Sequence, residues 1–296
     1  MANFQTSPSI SCVVPTHGRA NLLARALTSI ASQTLSPLEV IVSDDLGEEE
    51  TAETVRHQRI DLGCIYLDSS AKSTGTAGSS RNLGAAASTG EVLAFLDDDD
   101  QWDSNYLQTM VDTMQRENAD FVVSWGRLQI EDVIIDANWK IEAGRSFKDA
   151  LTVNPGFTGS NFIVTREAFD RVRGFDPSLR VYNDLDFFVR LLDSNARYAV
   201  VPQSLVTQMG DGAGHLSSRG KRRAQGILAY RRKWASRLTF SDRRRLIRDT
   251  LVALNYSGRP PIPKAILIGA IALTSSRTDL LYSARRRLNR EPRNYA

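Results

Sequence analysis

Short apolar runs and stretches of helical period alternate along the first hundred residues. Residues 10–14 form an apolar run closed by Pro15 and read as a strand. Over 19–33, Leu22, Leu23, Ala26, Leu27 and Ile30 recur at the three-to-four spacing of an amphipathic helix. Residues 38–42 repeat the strand pattern and end in Ser43-Asp44-Asp45. Residues 48–58 are polar and helical, with acids in the first turn, where the helix dipole favours negative charge. A third strand is predicted at 64–67, and a small-residue helix over 79–87 stops near Gly90. A fourth strand, 91–96, runs straight into Asp97-Asp98-Asp99-Asp100. Strands alternating with helices predict a mostly parallel, Rossmann-like α/β sheet built from right-handed crossovers. Runs such as Val40-Ile41-Val42 suit a sheet covered by helices on both faces.

After Trp102 the rhythm changes. A helix is predicted over 106–116, then strands at 120–125 and 128–135 separated by a turn at Gly126. A loop at 154–159, a strand at 161–164, helices at 166–172 and 184–193 and a strand at 198–201 follow. Residues 209–214 hold three glycines in six positions, which predicts a mobile loop. Basic helical stretches at 220–236 and 241–256 come next, then a break at Arg259-Pro260-Pro261-Ile262-Pro263 and a last helix.

The 296 residues allow one large domain or two ordinary ones, and 42% apolar with 24% charged residues excludes collagen-like, wholly disordered and multi-span membrane chains. Two cysteines, Cys12 and Cys64, make neither a disulfide scaffold nor a cysteine-based zinc site, and both read as small core residues. No basic start precedes an apolar run, so the expected compartment is the reducing cytoplasm. Charge divides the chain. Residues 1–215 carry 17 basic and 30 acidic residues, and residues 216–296 carry 20 and 4. An acidic body suits a metal or a base, and a basic tail suits phosphates or an anionic membrane.

In an open parallel sheet, ligands bind beyond the carboxyl ends of the strands. Asp44/Asp45 and Asp97–Asp100 both fall at such ends, so both line one edge. Adjacent carboxylates repel one another unless a cation intervenes, and Mg²⁺ typically combines one or two carboxylates with substrate phosphates. The pattern points to a metal–diphosphate site over a solvated acidic turn.

Several ordered motifs carry a family resemblance. Val13-Val14-Pro15-Thr16-His17-Gly18-Arg19, Glu39-Val40-Ile41-Val42-Ser43-Asp44-Asp45, Arg81-Asn82-Leu83-Gly84 and Thr89–Asp100 are followed by Gly174-Phe175-Asp176-Pro177 and Asn183-Asp184-Leu185-Asp186. Together, across roughly 10–220, they resemble the family 2 glycosyltransferases, which are inverting enzymes of GT-A fold. The resemblance implies a nucleotide-sugar-binding half over 1–102, an acceptor-binding half over 103–220 and a basic helical extension over 221–296. It places Pro15, Thr16, Arg19, Asp44, Asp45, Arg81, Asp97 and Asp98 around the donor nucleotide. It assigns Asp97 and Asp99 to a Mn²⁺ or Mg²⁺ ion, with Asp98 and Asp100 competing for the register, and it makes Asp184 the catalytic base. The sequence departs from the family at Leu46-Gly47, where Gly-Ser is usual, at Asn183, where Glu is common, and at His17, where an aromatic often stands.

Such a transfer needs one carboxylate to take the acceptor hydroxyl proton and a cation to neutralise the leaving diphosphate. The resemblance implies a nucleoside-diphosphate sugar donor, UDP ahead of dTDP and GDP, and a glycan or lipid-linked glycan acceptor in cell-surface polymer synthesis. His215 is a third metal ligand or diphosphate contact on a closing lid, or else an exposed loop histidine; Arg219, Lys221, Arg222 and Arg223 flank it. His57 reads as solvent-facing and Asp186 as structural. Trp102, Trp125 and Trp139 read equally as sugar platforms or core. The nine-residue apolar stretch 265–273 is too short to span a bilayer, which takes ~20 residues. With Arg285-Arg286-Arg287, Arg290 and Arg293 beyond it, the tail either lies on an anionic inner membrane face or packs on the body; nothing favours nucleic acid. A dehalogenase-like phosphatase would carry its acidic pair on the first strand, and no P-loop is present. A non-catalytic nucleotide-sugar-binding scaffold is the rival from another class, and it has no use for Asp184.

Overall fold

The computed structural model describes residues 7–136, 140–209, 220–255 and 263–275. The first half runs β1 (Ile10–Thr16), α1 (Ala20–Ala31), β2 (Glu39–Asp44), α2 (Glu49–Leu62), β3 (Cys64–Asp68), α3 (Ala77–Ala87), β4 (Val92–Phe95), β5 (Gln101–Trp102) and α4 (Tyr106–Arg116). Then come β6 (Phe121–Ile130), β7 (Val133–Asp136), α5 (Phe147–Ala150), β8 (Phe162–Thr165), α6 (Arg166–Arg171), α7 (Asn183–Asp193) and β9 (Tyr198–Met209). Helices α8 (Lys221–Lys233), α9 (Phe240–Asn255) and α10 (Lys264–Thr274) follow. The strands form one nine-stranded sheet in the order β3-β2-β1-β4-β8-β6-β9-β5, with β7 on β6. From β3 to β4 every pairing is parallel, as the alternating pattern predicts. Beyond β4 the sheet is mixed, because β8 enters antiparallel to both β4 and β6 while β9 runs parallel to β6.

Side chains alternate across each strand, and this period of two splits the interior into two cores. Ile10, Cys12 and Val14 face one side with Val92, Ala94 and Ile163, where α1 and α4 supply Leu23, Leu27, Tyr106 and Met110. Val13, Leu93 and Phe95 face the other with Phe121 and Phe162, where α6, α7, α8 and α9 close in. That second core is aromatic; Phe175 stacks on Phe187 at 4.4 Å and Phe157 on Phe162 at 4.5 Å. Both cysteines are buried and free, and burial pushes the Cys64 thiol up to about 11.

Two sequence expectations fail in one place. No turn interrupts β6 at Gly126; the strand runs through to Ile130 and reverses at Glu131, whose φ is +53°. The strand expected at 198–201 extends to Met209. The cause is a bulge. Ser124 pairs with Val201 but Trp125 pairs with Ser204, so Pro202 and Gln203 are looped out of register. A proline cannot donate to a ladder and a glycine weakens one, and a bulge accommodates both.

The basic extension packs on the body through α8 and α9. Tyr230, Trp234 and Leu246 are buried in the aromatic core. Asp186 of α7 is fully buried between Arg190 Nε (2.7 Å), Lys233 Nζ (2.8 Å) and Trp234 Nε1 (3.0 Å). Lys233 also reaches Asp176 at 2.6 Å, so α8 ties together the Gly174–Pro177 and Asn183–Asp186 motifs. Burial pushes the Asp176 carboxyl up, but Lys233 and the Ser178 donors outweigh it and hold it at about 2. Asp176 therefore stabilises the fold fully above the ordinary carboxylate pKa of about 4, and the contribution is lost as pH falls through about 2.

Lys233→Met is expected to cost about 2 kcal/mol at neutral pH, less than the ~3–5 of a fully broken buried pair because Arg190 and Trp234 still hold Asp186. Denaturant unfolding of both proteins from pH 7 to pH 2 checks this. The difference should shrink in acid, and a pH-independent gap would remove Asp176 from the account.

Candidate active site

The parallel strands end level with one another. Thr16, Asp44 and Asp68 share one register across β1, β2 and β3, and the loop after β4 opens beside them. The acidic run in that loop is a tight turn, in which Asp100 N donates to Asp97 O at 3.0 Å. The turn sorts four adjacent carboxylates. Asp98 is fully buried, where it accepts from Thr16 Oγ1 at 2.7 Å and from the Arg19 guanidinium. Asp97, Asp99 and Asp100 converge instead, with ligand oxygens all within 4.8 Å of one another. Ser160 supports the turn from β8's approach, its Oγ accepting from Asp97 N at 3.0 Å. Gln208 of β9 donates to Asp100 at 3.4 Å.

Three hard oxygen donors on one point are the donor set that divalent cations take. Burial, and then the charges of Asp99 and Asp97, push the Asp100 carboxyl well above the usual carboxylate range. A cation would relieve both effects, so the trio fits a metal chemically. Arg19 partly offsets the charge from one side, with NH1 2.9 Å from Asp99.

Helix α3 joins this edge to the Gly174–Pro177 and Asn183–Asp186 motifs. It starts at Thr76, whose Oγ1 accepts from Ser79 N at 3.1 Å. Gly84 lets the helix lie close on β1; a Cβ there would sit 2.4 Å from Val13 Cγ1. Arg81 is buried and forked. One terminal nitrogen donates to Asp97 at 2.5 Å, the other to Asn183 Oδ1 at 2.9 Å, and the guanidinium lies over the Phe175 ring at 5.1 Å. Gly159 leaves the guanidinium room, since a Cβ there would fall 2.1 Å from a terminal nitrogen of Arg81. Asn82 clamps the next turn in both directions, donating to Phe175 O and accepting from Phe175 N, each at 2.8 Å.

Asp184 is the second residue of α7, directly after Asn183. The helix is entered through Tyr182 at φ +62°, a left-handed conformation that bulky residues rarely adopt. Asp184 Oδ1 accepts from Leu185 N at 2.8 Å. Burial raises the Asp184 carboxyl, and Asp97 adds to this while Arg81 and the backbone N–H oppose it. A raised carboxyl is the form a general base takes.

The other residues singled out in the sequence fall as follows. Asp44 is fully buried and committed to its own loop, accepting from Leu46 N, Glu48 N and Tyr66 OH at 2.9–3.0 Å. Asp45 pairs with His17 Nδ1 at 2.6 Å. Pro15 is buried within β1, opposite Ser43. His57 is exposed. Trp102 is core and no sugar platform: it stacks on Tyr106 at 4.4 Å and donates to Ser160 O at 2.7 Å. Trp125 is half-buried and bonded to Ile141 O. His215, Arg219, Trp139 and the arginines beyond 275 lie outside the described residues. Sequence reading passed over Ser160, in the turn before β8, and Gln208 of β9, which are distant in sequence and carry no local signal. It left Asp100 as a competitor, where the turn makes it a member of the trio.

The comparisons bear on this geometry. The sequence profile described as Glycosyl transferase family 2 matches residues 11–173. The chain is 36% identical over 125 residues to a GalNAc(5)-diNAcBac-PP-undecaprenol beta-1,3-glucosyltransferase of Campylobacter jejuni, covering 42% of this chain and only 39% of that relative's length. Among solved structures, S. aureus TarS 1–349 in complex with UDP-GlcNAc is similar at TM-score 0.60 and 18% identity, over 90% of this chain and 71% of that one. The mannosyltransferase PcManGT of Pyrobaculum calidifontis, in complex with GDP-Man and Mn²⁺, is similar at TM-score 0.61 and 19% identity, over 95% and 84%. The folded body is thus of GT-A type, and with more than half of its residues inside the matched profile the chain belongs to glycosyl transferase family 2.

Proposed function

We propose that this chain is a metal-dependent, inverting glycosyltransferase that moves a sugar from a nucleoside-diphosphate sugar to a hydroxyl of a glycan or lipid-linked glycan acceptor. The observation that carries the reading is the Arg81 fork, which sets a three-carboxylate cluster and a raised carboxylate, Asp184, on either side of one guanidinium. A donor half at 1–102 and an acceptor half at 103–220 suit that division. Mn²⁺ or Mg²⁺ would be held by Asp97, Asp99 and Asp100, with His215 a further candidate, and would supply charge neutralisation on the leaving diphosphate. Asp45 and His17 would meet the nucleoside, a reading supported by their pairing at the ends of β2 and β1, and Thr16, Pro15 and Asp44 would shape the loops beside it. Arg19 holds Asp98 and Asp99 in place. Asp184 takes the proton of the acceptor hydroxyl as its oxygen attacks the anomeric carbon from the face opposite the nucleoside diphosphate. The C–O bond to the diphosphate breaks, and its electrons leave with the phosphate oxygen.

UDP is the first candidate nucleotide, supported by the UDP-GlcNAc bound to the TarS neighbour, and GDP is second, supported by the GDP-Man of PcManGT. A lipid-linked acceptor is supported by the undecaprenol-linked substrate in the name of the Campylobacter relative. A binding scaffold of the same fold would have no need of Asp184.

Calorimetric titration of UDP, dTDP and GDP, each with and without Mn²⁺, should show one nucleotide whose tight binding requires the metal. Asp99→Ala should abolish that metal response, and a wild-type Mn²⁺ response in the mutant would sink the donor-site assignment. Asp184→Asn should keep donor affinity and lower kcat by about 10²–10⁴, the range a general base supplies. Because the carboxyl is raised, wild-type transfer should fall off on the acid side above the ordinary carboxylate range. Equal kcat in the two proteins would remove Asp184 as the base.

A further inference from the structure

Helix α10 lies along α9 and buries Leu267 there. Its opposite face is turned to solvent and is apolar. Ile266 is 61% exposed, Ile268 58% and Leu273 82%, with Gly269 exposed between them. From Ala265 to Leu273 the helix carries no polar side chain at all. Phe240, at the start of α9, is 84% exposed. It belongs to the same end of the helix pair as Leu273, because Arg244, one turn further along α9, donates to Leu273 O at 3.1 Å and to Thr274 O at 3.2 Å. The same arginine also reaches Ser275 O at 2.9 Å and so caps the helix. No helix among the described residues is long and apolar enough to cross a membrane.

Charge decides what such a face meets. The described residues of α8, α9 and α10 with their flanks carry twelve Lys and Arg against two Asp, while residues 1–215 carry a balance of −13. A second copy docked through α10 would bring two strongly basic surfaces together. An anionic bilayer accepts the apolar face together with the basic extension that carries it, Arg244 at its C-terminal end included, and it repels the acidic body. We propose that the outer face of α10, with Phe240 beside its C-terminal end, docks on an anionic lipid surface as an interfacial helix. The dock serves the transferase reading by bringing the site to a lipid-borne acceptor, but it stands on its own observations. Its test needs no donor, so its failure leaves that reading untouched.

Full-length protein is sedimented with phosphatidylcholine vesicles and with vesicles containing phosphatidylglycerol, alongside an Ile266→Glu/Leu273→Glu variant. Both substituted positions are exposed, so the variant should melt and bind nucleotide like the wild type. Wild type is expected to prefer the anionic vesicles by about tenfold or more, to lose that preference as salt is raised, and to exceed the variant by about tenfold. Equal binding to both vesicle types, or equal binding by the variant, overturns the proposal. So does a wild-type dimer in light scattering that the double substitution converts to monomer, since the occupant of the face would then be a second copy.

Discussion

One buried guanidinium organises the site. Arg81 spans the gap between the acidic turn after β4 and the first residue of α7, and its geometry is forced from several sides. Phe175 lies beneath it, Gly159 leaves it room and the α3 backbone fixes its origin. A forked donor that satisfies two acceptors holds both at a set separation in a way a lysine does not. The departure from the family at Asn183 makes sense here. A neutral amide oxygen takes one arm of the fork without competing for the charge, which stays with Asp97. Asp184, next along the chain, is therefore not the residue that compensates Arg81.

The acidic turn shows why sequence alone could not choose among four aspartates. On a strand, alternate residues would share a face, and Asp97 with Asp99 would be set against Asp98 with Asp100. The chain turns instead, through the bond from Asp100 N to Asp97 O, and Asp100 swings round to join Asp97 and Asp99. Asp98 becomes the anchor, held by Thr16 and Arg19 at the end of β1. Three of the four converge and one is buried as an anchor, but the division depends on a hydrogen bond that no pattern announces.

Elsewhere the legibility follows the range of the interactions. The helix at 106–116 has the bounds expected from its own periodicity, and the parallel strands are all where their apolar runs put them. A strand ending at Val201 and a turn at Gly126 are local readings; paired across the sheet, Pro202 and Gly126 fall at a bulge that lets both strands continue. Asp186 was legible as structural from its place two residues beyond Asp184, yet its partner Lys233 lies 47 residues away in a helix outside the matched family region. Ser160 and Gln208 were silent for the same reason.

The two cores on opposite faces of the sheet have a consequence for motion. The face holding α1 and α4 is closed by its own helices, whereas the aromatic face is closed by α8 and α9, which also hold Asp186 and hence α7. Local opening follows such packing units. Transient departure of α8 would uncover a buried carboxylate and loosen α7, so the amides of α7 and α8 are expected to exchange as one cooperative unit and those of α1 and α4 as another. Helix α7, which carries Asp184, thus shares its packing unit with the basic extension, while the other face of the same strands is closed by α1 and α4 in a core to which the described residues of the extension contribute nothing.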